Sequence, residues 1–135
     1  VSFADSIELV GTTMPQINSP SNALSLPHVS SLVVTLHWQA LQPVDKPYTV
    51  FLQLLNEQGE VVAGWDQQPF GGLYPTSLWS PGELIADTIQ LPLPEDGLSP
   101  GKYRLITGFY DFETGQRLTT VGGGDFTQLT EFVVE

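Results

Sequence analysis

The chain has 135 residues and no cysteine, so it can bury about two-thirds of its unfolded surface in one core but can form neither a disulfide framework nor a cysteine-held zinc site. Only 14% of its residues are charged, and 15 acids against 4 Lys and Arg give a formal net charge of -11. Such a field repels phosphate backbones and anionic membrane surfaces, and no basic stripe overrides it, which argues against nucleic-acid or lipid-headgroup binding.

No run of about 18 apolar residues is present, so nothing in the sequence reads as a membrane-spanning helix. The polar surface is made mostly of Ser, Thr, Asn and Gln, a composition associated with extracytoplasmic β domains. Val1 to Leu9 reads as strand and not as a basic-then-apolar leader. A start without Met reads as a processed chain or a piece cut from a longer one.

Taken in order, strand signals dominate. Ser6 to Val10 predicts a short first strand, and residues 11–30, rich in Pro, Ser, Asn and Thr, predict a long irregular connection. Leu32 to Ala40 alternates, with Val34, Leu36 and Trp38 on one face and Val33, Thr35 and His37 on the other. Tyr48 to Leu55 is apolar on both faces, as a central strand would be. Asn56-Glu57-Gln58-Gly59 predicts a hairpin turn, and Glu60 to Asp66 the returning strand.

Residues 67–82 hold Pro69, Gly71, Gly72, Pro75, Pro81 and Gly82 and predict a long loop. Glu83 to Leu91 predicts a strand closed by Pro92 and Pro94. Lys102 to Asp111 follows, then a second turn at Phe112-Glu113-Thr114-Gly115 and a return over Gln116 to Thr120. Gly122 to Gly124 breaks the chain before the last strand, Phe126 to Val134. About eight strands with turn signals every ten residues or so predict one all-β domain over residues 1–135. The expected architecture is an antiparallel Greek-key β-sandwich, immunoglobulin/fibronectin III-like or jelly-roll-like. Leu98-Ser99-Pro100-Gly101-Lys102-Tyr103 resembles the tyrosine corner of such sandwiches, with Trp38 as the core tryptophan.

The search for chemistry yields little. His28 and His37 have no nucleophile beside them and no G-x-S-x-G is present, so no hydrolase triad is legible. Gly122-Gly123-Gly124 lacks the Lys and Ser/Thr of a phosphate loop. No catalytic residue is assigned, and the domain is read as a non-enzyme. Asp87 shares a strand face with Ile85, Ile89 and Leu91, and a carboxylate there must find donors or an ion. It reads first as a structural acid bonded to loop amides, Arg104 or Arg117, then as a Ca²⁺ ligand with Asp66 or Asp111, and last as a catalytic acid. No EF-hand-like or Gly-Asp repeat supports the ion.

The stretch from Asp66 to Glu83 gathers Phe70, Tyr74 and Trp79, with Trp65 just before it. Exposed aromatics among Asp and Gln suit a sugar, since rings cover its C–H faces and polar neighbours take its hydroxyls. Trp65, Asp66, Tyr74 and Trp79 are therefore the candidate ligand-binding residues. The competing reading is that these rings fold down and cap the open end of the sandwich.

Three stretches carry a family resemblance. The first is Trp38-x-Ala40-Leu41-x-Pro43 with Tyr48-x-Val50-Phe51-Leu52. The second runs from Asp66-x-x-Pro69 through Gly72-x-x-Pro75-Thr76-x-x-Trp79-x-Pro81-Gly82-Glu83-x-Ile85-x-Asp87. The third is Gly101-x-Tyr103-x-Leu105-x-x-Gly108-x-Tyr110-Asp111-x-x-Thr114-Gly115-x-Arg117-Leu118. Together they resemble the C-terminal β-sandwich domain of large bacterial polytopic membrane proteins of the dolichyl-phosphate-mannose mannosyltransferase-like group. The resemblance implies an accessory domain outside the cytoplasmic membrane, tethered through its parent protein. The leading expectation is that it assists glycan or acceptor binding or contacts its own membrane domain. The family's glycosyl-transfer chemistry belongs to a membrane part absent here, so no catalytic residue carries over. A free-standing carbohydrate-binding module and a structural or protein-interaction sandwich are the alternatives.

Overall fold

The computed structural model describes residues 1–14, 23–24 (backbone only) and 31–135. His28 and most of the expected 11–30 connection lie outside the described residues. The strands are β1 (Ser2–Phe3), β2 (Ile7–Thr13), β3 (Ala23–Leu24), β4 (Ser31–Ala40), β5 (Thr49–Leu55), β6 (Val61–Gln67), β7 (Leu84–Pro92), β8 (Gly101–Tyr110) and β9 (Thr127–Val134). They form two sheets, in orders β1-β2-β4-β7 and β3-β9-β8-β5-β6. All pairings are antiparallel except the two-residue β3 against β9.

The chain passes between sheets at β2–β3, β3–β4, β4–β5, β6–β7 and β7–β8. The neighbours β2-β4-β7 and β5-β8-β9 match the A-B-E and C-F-G neighbours of the immunoglobulin-type sandwich, which selects that Greek key over the jelly roll. Among the described residues no helix is long and apolar enough to cross a membrane.

The alternation of β4 puts Val34, Leu36 and Trp38 into the core, as its period of two dictates. Trp38, Phe3 and Phe109 form an aromatic centre, with Trp38 and Phe109 rings 4.6 Å apart and Phe3 edge-on to both. The tyrosine corner forms, the Tyr103 hydroxyl donating to the Ser99 carbonyl at 2.6 Å. The β5–β6 hairpin closes through Asn56, whose side-chain oxygen accepts from the Gln58 and Glu60 amides at 3.0 and 2.9 Å.

Two expectations are corrected. Val1 to Leu9 does not run as one strand, and the first full strand is longer than Ser6 to Val10. Ala4 and Asp5 both take positive φ (51° and 54°), making a tight turn between β1 and β2 without the Gly that usually marks one. Gln116 to Thr120 makes isolated bridges only, Tyr110 to Arg117 and Thr120 to Phe3. β8 already has β5 and β9 on its two sides. The segment therefore leaves that sheet and reaches β1 in the other one.

A candidate binding cleft between two edge strands

β6 ends one sheet and β7 ends the other. The two edges meet at the open side of the sandwich, joined by residues 68–83, which carry a left-handed turn at Pro69–Gly72 and a 3₁₀ turn at Thr76–Leu78. Between them lies a hollow of about 480 Å³ lined by Trp65, Gln67, Gln68, Phe70, Leu73 and the β7 stretch 86–90. That volume is in the range of small-ligand sites.

The loop that roofs the hollow is pinned from below. Thr76 is fully buried; its hydroxyl donates to the Lys46 carbonyl at 2.6 Å and accepts from the Tyr48 amide at 2.9 Å. Trp79 is only 3% exposed, edge-on to Phe109 at 6.5 Å, and its indole N–H donates to the Tyr74 carbonyl at 3.0 Å. The Tyr74 hydroxyl donates to the Glu83 carboxylate at 2.6–2.7 Å, and Ser80 N–H donates to the same carboxylate at 2.9 Å. The Ser80 amide and the Tyr74 hydroxyl hold the Glu83 carboxyl below its usual range, and the bond to Glu83 pushes the Tyr74 phenol up.

The four residues expected to bind ligand are thus separated. Trp65 pairs with Leu52 on the inner side of β6, packs partly on the core and lines the hollow. Asp66, the next residue, points to the other face and accepts from the Tyr110 hydroxyl at 2.8 Å. Burial and the bond to Asp66 push the Tyr110 phenol up to about 12. Tyr74 is half-buried within the loop, its ring 6.3 Å from Phe70. Trp79 offers no free face for stacking. Of the four, only Trp65 reaches the cleft.

Asp87 belongs to the cleft as well. It is 6% exposed and faces inward between Ile85 and Ile89, as the alternation implies. Its one hydrogen bond among the described residues comes from the Phe70 amide at 3.3 Å. Burial pushes its carboxyl up, and the Phe70 bond only partly opposes this. Of the expected partners the loop amide is realised and the arginines are not. Arg117 stacks on the Phe51 ring at 4.1 Å and pairs with Asp125 at 3.4 Å, while Arg104 lies opposite Glu131 on β9. Asp111 pairs with Lys46 at 3.1 Å, so Asp66, Asp87 and Asp111 each have a different partner. No group of three His, Cys, Asp or Glu converges among the described residues.

Phe70 itself takes φ 56°, uncommon for a bulky residue, and its ring is 40% exposed at the rim beside Leu73, which is 87% exposed. The amides Gln67 and Gln68 add polar lining, whereas Thr88 and Gln90, on the outer face of β7, spend their polar groups on β4: the Thr88 hydroxyl bonds the Thr35 hydroxyl at 2.8 Å and the Gln90 amide donates to the Ser31 hydroxyl at 3.0 Å. Sequence reasoning passed over these residues. The available signal was that Gln90 and Thr88 alternate with the buried face of β7 and that Gln67-Gln68 follows β6 directly. A half-buried indole, apolar rim groups, neutral amides and one buried acceptor offer the kinds of contact a polyhydroxylated molecule can use. No family model matches the chain, and no curated protein matches it.

Proposed function

We propose that this is a non-catalytic accessory domain of a membrane glycosyltransferase-like protein, and that it holds a glycan or glycan acceptor in the cleft between β6 and β7. The cleft carries the reading: Trp65 and Asp87 line one hollow among amide side chains, the mixture of ring face and hydroxyl partners a sugar calls for. The parent protein and the extracytoplasmic setting rest on the resemblance of the three motif stretches.

The test is a glycan array probed with the purified domain, Trp65→Ala and Leu73→Asp. Leu73 stands almost free in solvent, so its replacement reads the rim without disturbing the core. Binding that both variants weaken supports the cleft. A blank array for the parent domain ends the glycan reading, and binding indifferent to both variants moves the site elsewhere.

A further inference from the structure

From the lining of the same cleft, and resting on the glycan reading, we infer that the site takes uncharged sugars and rejects acidic ones, with Asp87 as the selectivity-determining residue accepting a ligand hydroxyl. Three observations converge on this. Asp87 lines the hollow and is more than nine-tenths buried. Its only bond among the described residues is a 3.3 Å contact from the Phe70 amide, long against the usual N–H···O distance of about 2.9–3.0 Å. An ionised carboxylate has about four acceptor sites, so most of its capacity has no partner among the described residues. Finally, among the described residues no cation lines the hollow: beside the Trp65 indole, its other polar side chains are amides and a hydroxyl.

A sugar hydroxyl supplies the missing donor. A uronate or sulfate would instead bring a second negative charge against a buried carboxylate, with no Lys or Arg to offset it. The competing account is that Asp87 only guards the edge of β7, since an inward-pointing charge discourages strand-to-strand association. That account predicts no effect on a bound sugar.

Isothermal titration separates these accounts. The probes are neutral β-glucan and mannan oligosaccharides and polyuronate fragments, each titrated into the parent domain and Asp87→Asn. Asn keeps the shape and can still accept from Phe70. The expected result is binding of a neutral probe, no binding of polyuronate, and a loss of about tenfold or more for the neutral probe in Asp87→Asn, the size of one hydrogen bond to a charged acceptor. Polyuronate binding as tightly as the neutral probes overturns the selectivity with no variant needed. Unchanged neutral affinity in a folded Asp87→Asn overturns the role of Asp87 and leaves the glycan reading standing. Failure of every probe on the parent domain ends the glycan reading, and the selectivity with it.

Discussion

Asp87 has an energetic consequence apart from any ligand. Its carboxyl is raised by burial, so the folded chain holds this proton more tightly than the unfolded chain does. The favourable contribution is therefore complete below the unfolded value of about 4 and is lost as pH rises through the raised folded value. Above the unfolded value, burying this carboxyl therefore costs stability. Asp87→Asn should melt higher than the parent at pH 7, by about 1 kcal/mol, the scale of a poorly satisfied buried polar group. That gap should close as pH falls toward 4. Denaturant curves from pH 4 to 8 measure it, and a pH-independent gap would show that the carboxyl titrates as if exposed. Asp111 and Glu83 have the opposite sign. Their carboxyls are lowered, Asp111 by Lys46 and Glu83 by the Ser80 amide, so their contributions hold above the usual carboxylate range and fade in acid.

Among the elements, the segment from Gln68 to Glu83 separates what residue type reveals from what it hides. Its aromatics were readable as a group, but not their directions. Trp79 and Tyr74 look alike as candidates for stacking in the sequence, yet one is a core residue and the other is tied to Glu83. The deciding contacts, Thr76 with Lys46 and Trp79 with Phe109, link residues about 30 apart, beyond the reach of any periodicity. If Trp79 anchors the loop, Trp79→Ala should cost about 3–5 kcal/mol, as large aromatic truncations in cores do. Thermal melts of the two variants would then differ sharply, with Leu73→Asp near the parent. A small loss for Trp79→Ala would mean the loop holds itself up without that ring. The strands were more legible. The alternation of β4 placed Trp38, and the Pro-Gly-x-Tyr run placed Tyr103, because those signals are local. The turn at Ala4 and Asp5 was not, since neither residue advertises a positive φ. Asp87 was recognised as anomalous from its register alone, whereas the cleft around it depends on two edges 20 residues apart meeting in space.

At the scale of the whole molecule, 15 acids against 4 Lys and Arg set a self-repelling field. The two ion pairs found among the described residues, Lys46 with Asp111 and Arg117 with Asp125, are at least partly solvent-exposed and offset little of it. Screening should therefore stabilise this fold on balance, because the repulsions it weakens outnumber the attractions. Raising NaCl from about 10 mM to about 0.5 M shortens the Debye length several-fold, and the midpoint should rise by about 3 °C, the shift that roughly 1 kcal/mol gives at this size. A fall in the midpoint would mean that a few specific ion pairs outweigh the general repulsion. The same field bears on recognition. A neutral sugar neither gains nor loses from it, so its affinity should stay constant over the same salt series in which stability climbs. A ligand whose affinity rises steeply with salt would be an anion approaching against that field, and it would overturn the neutral-sugar reading.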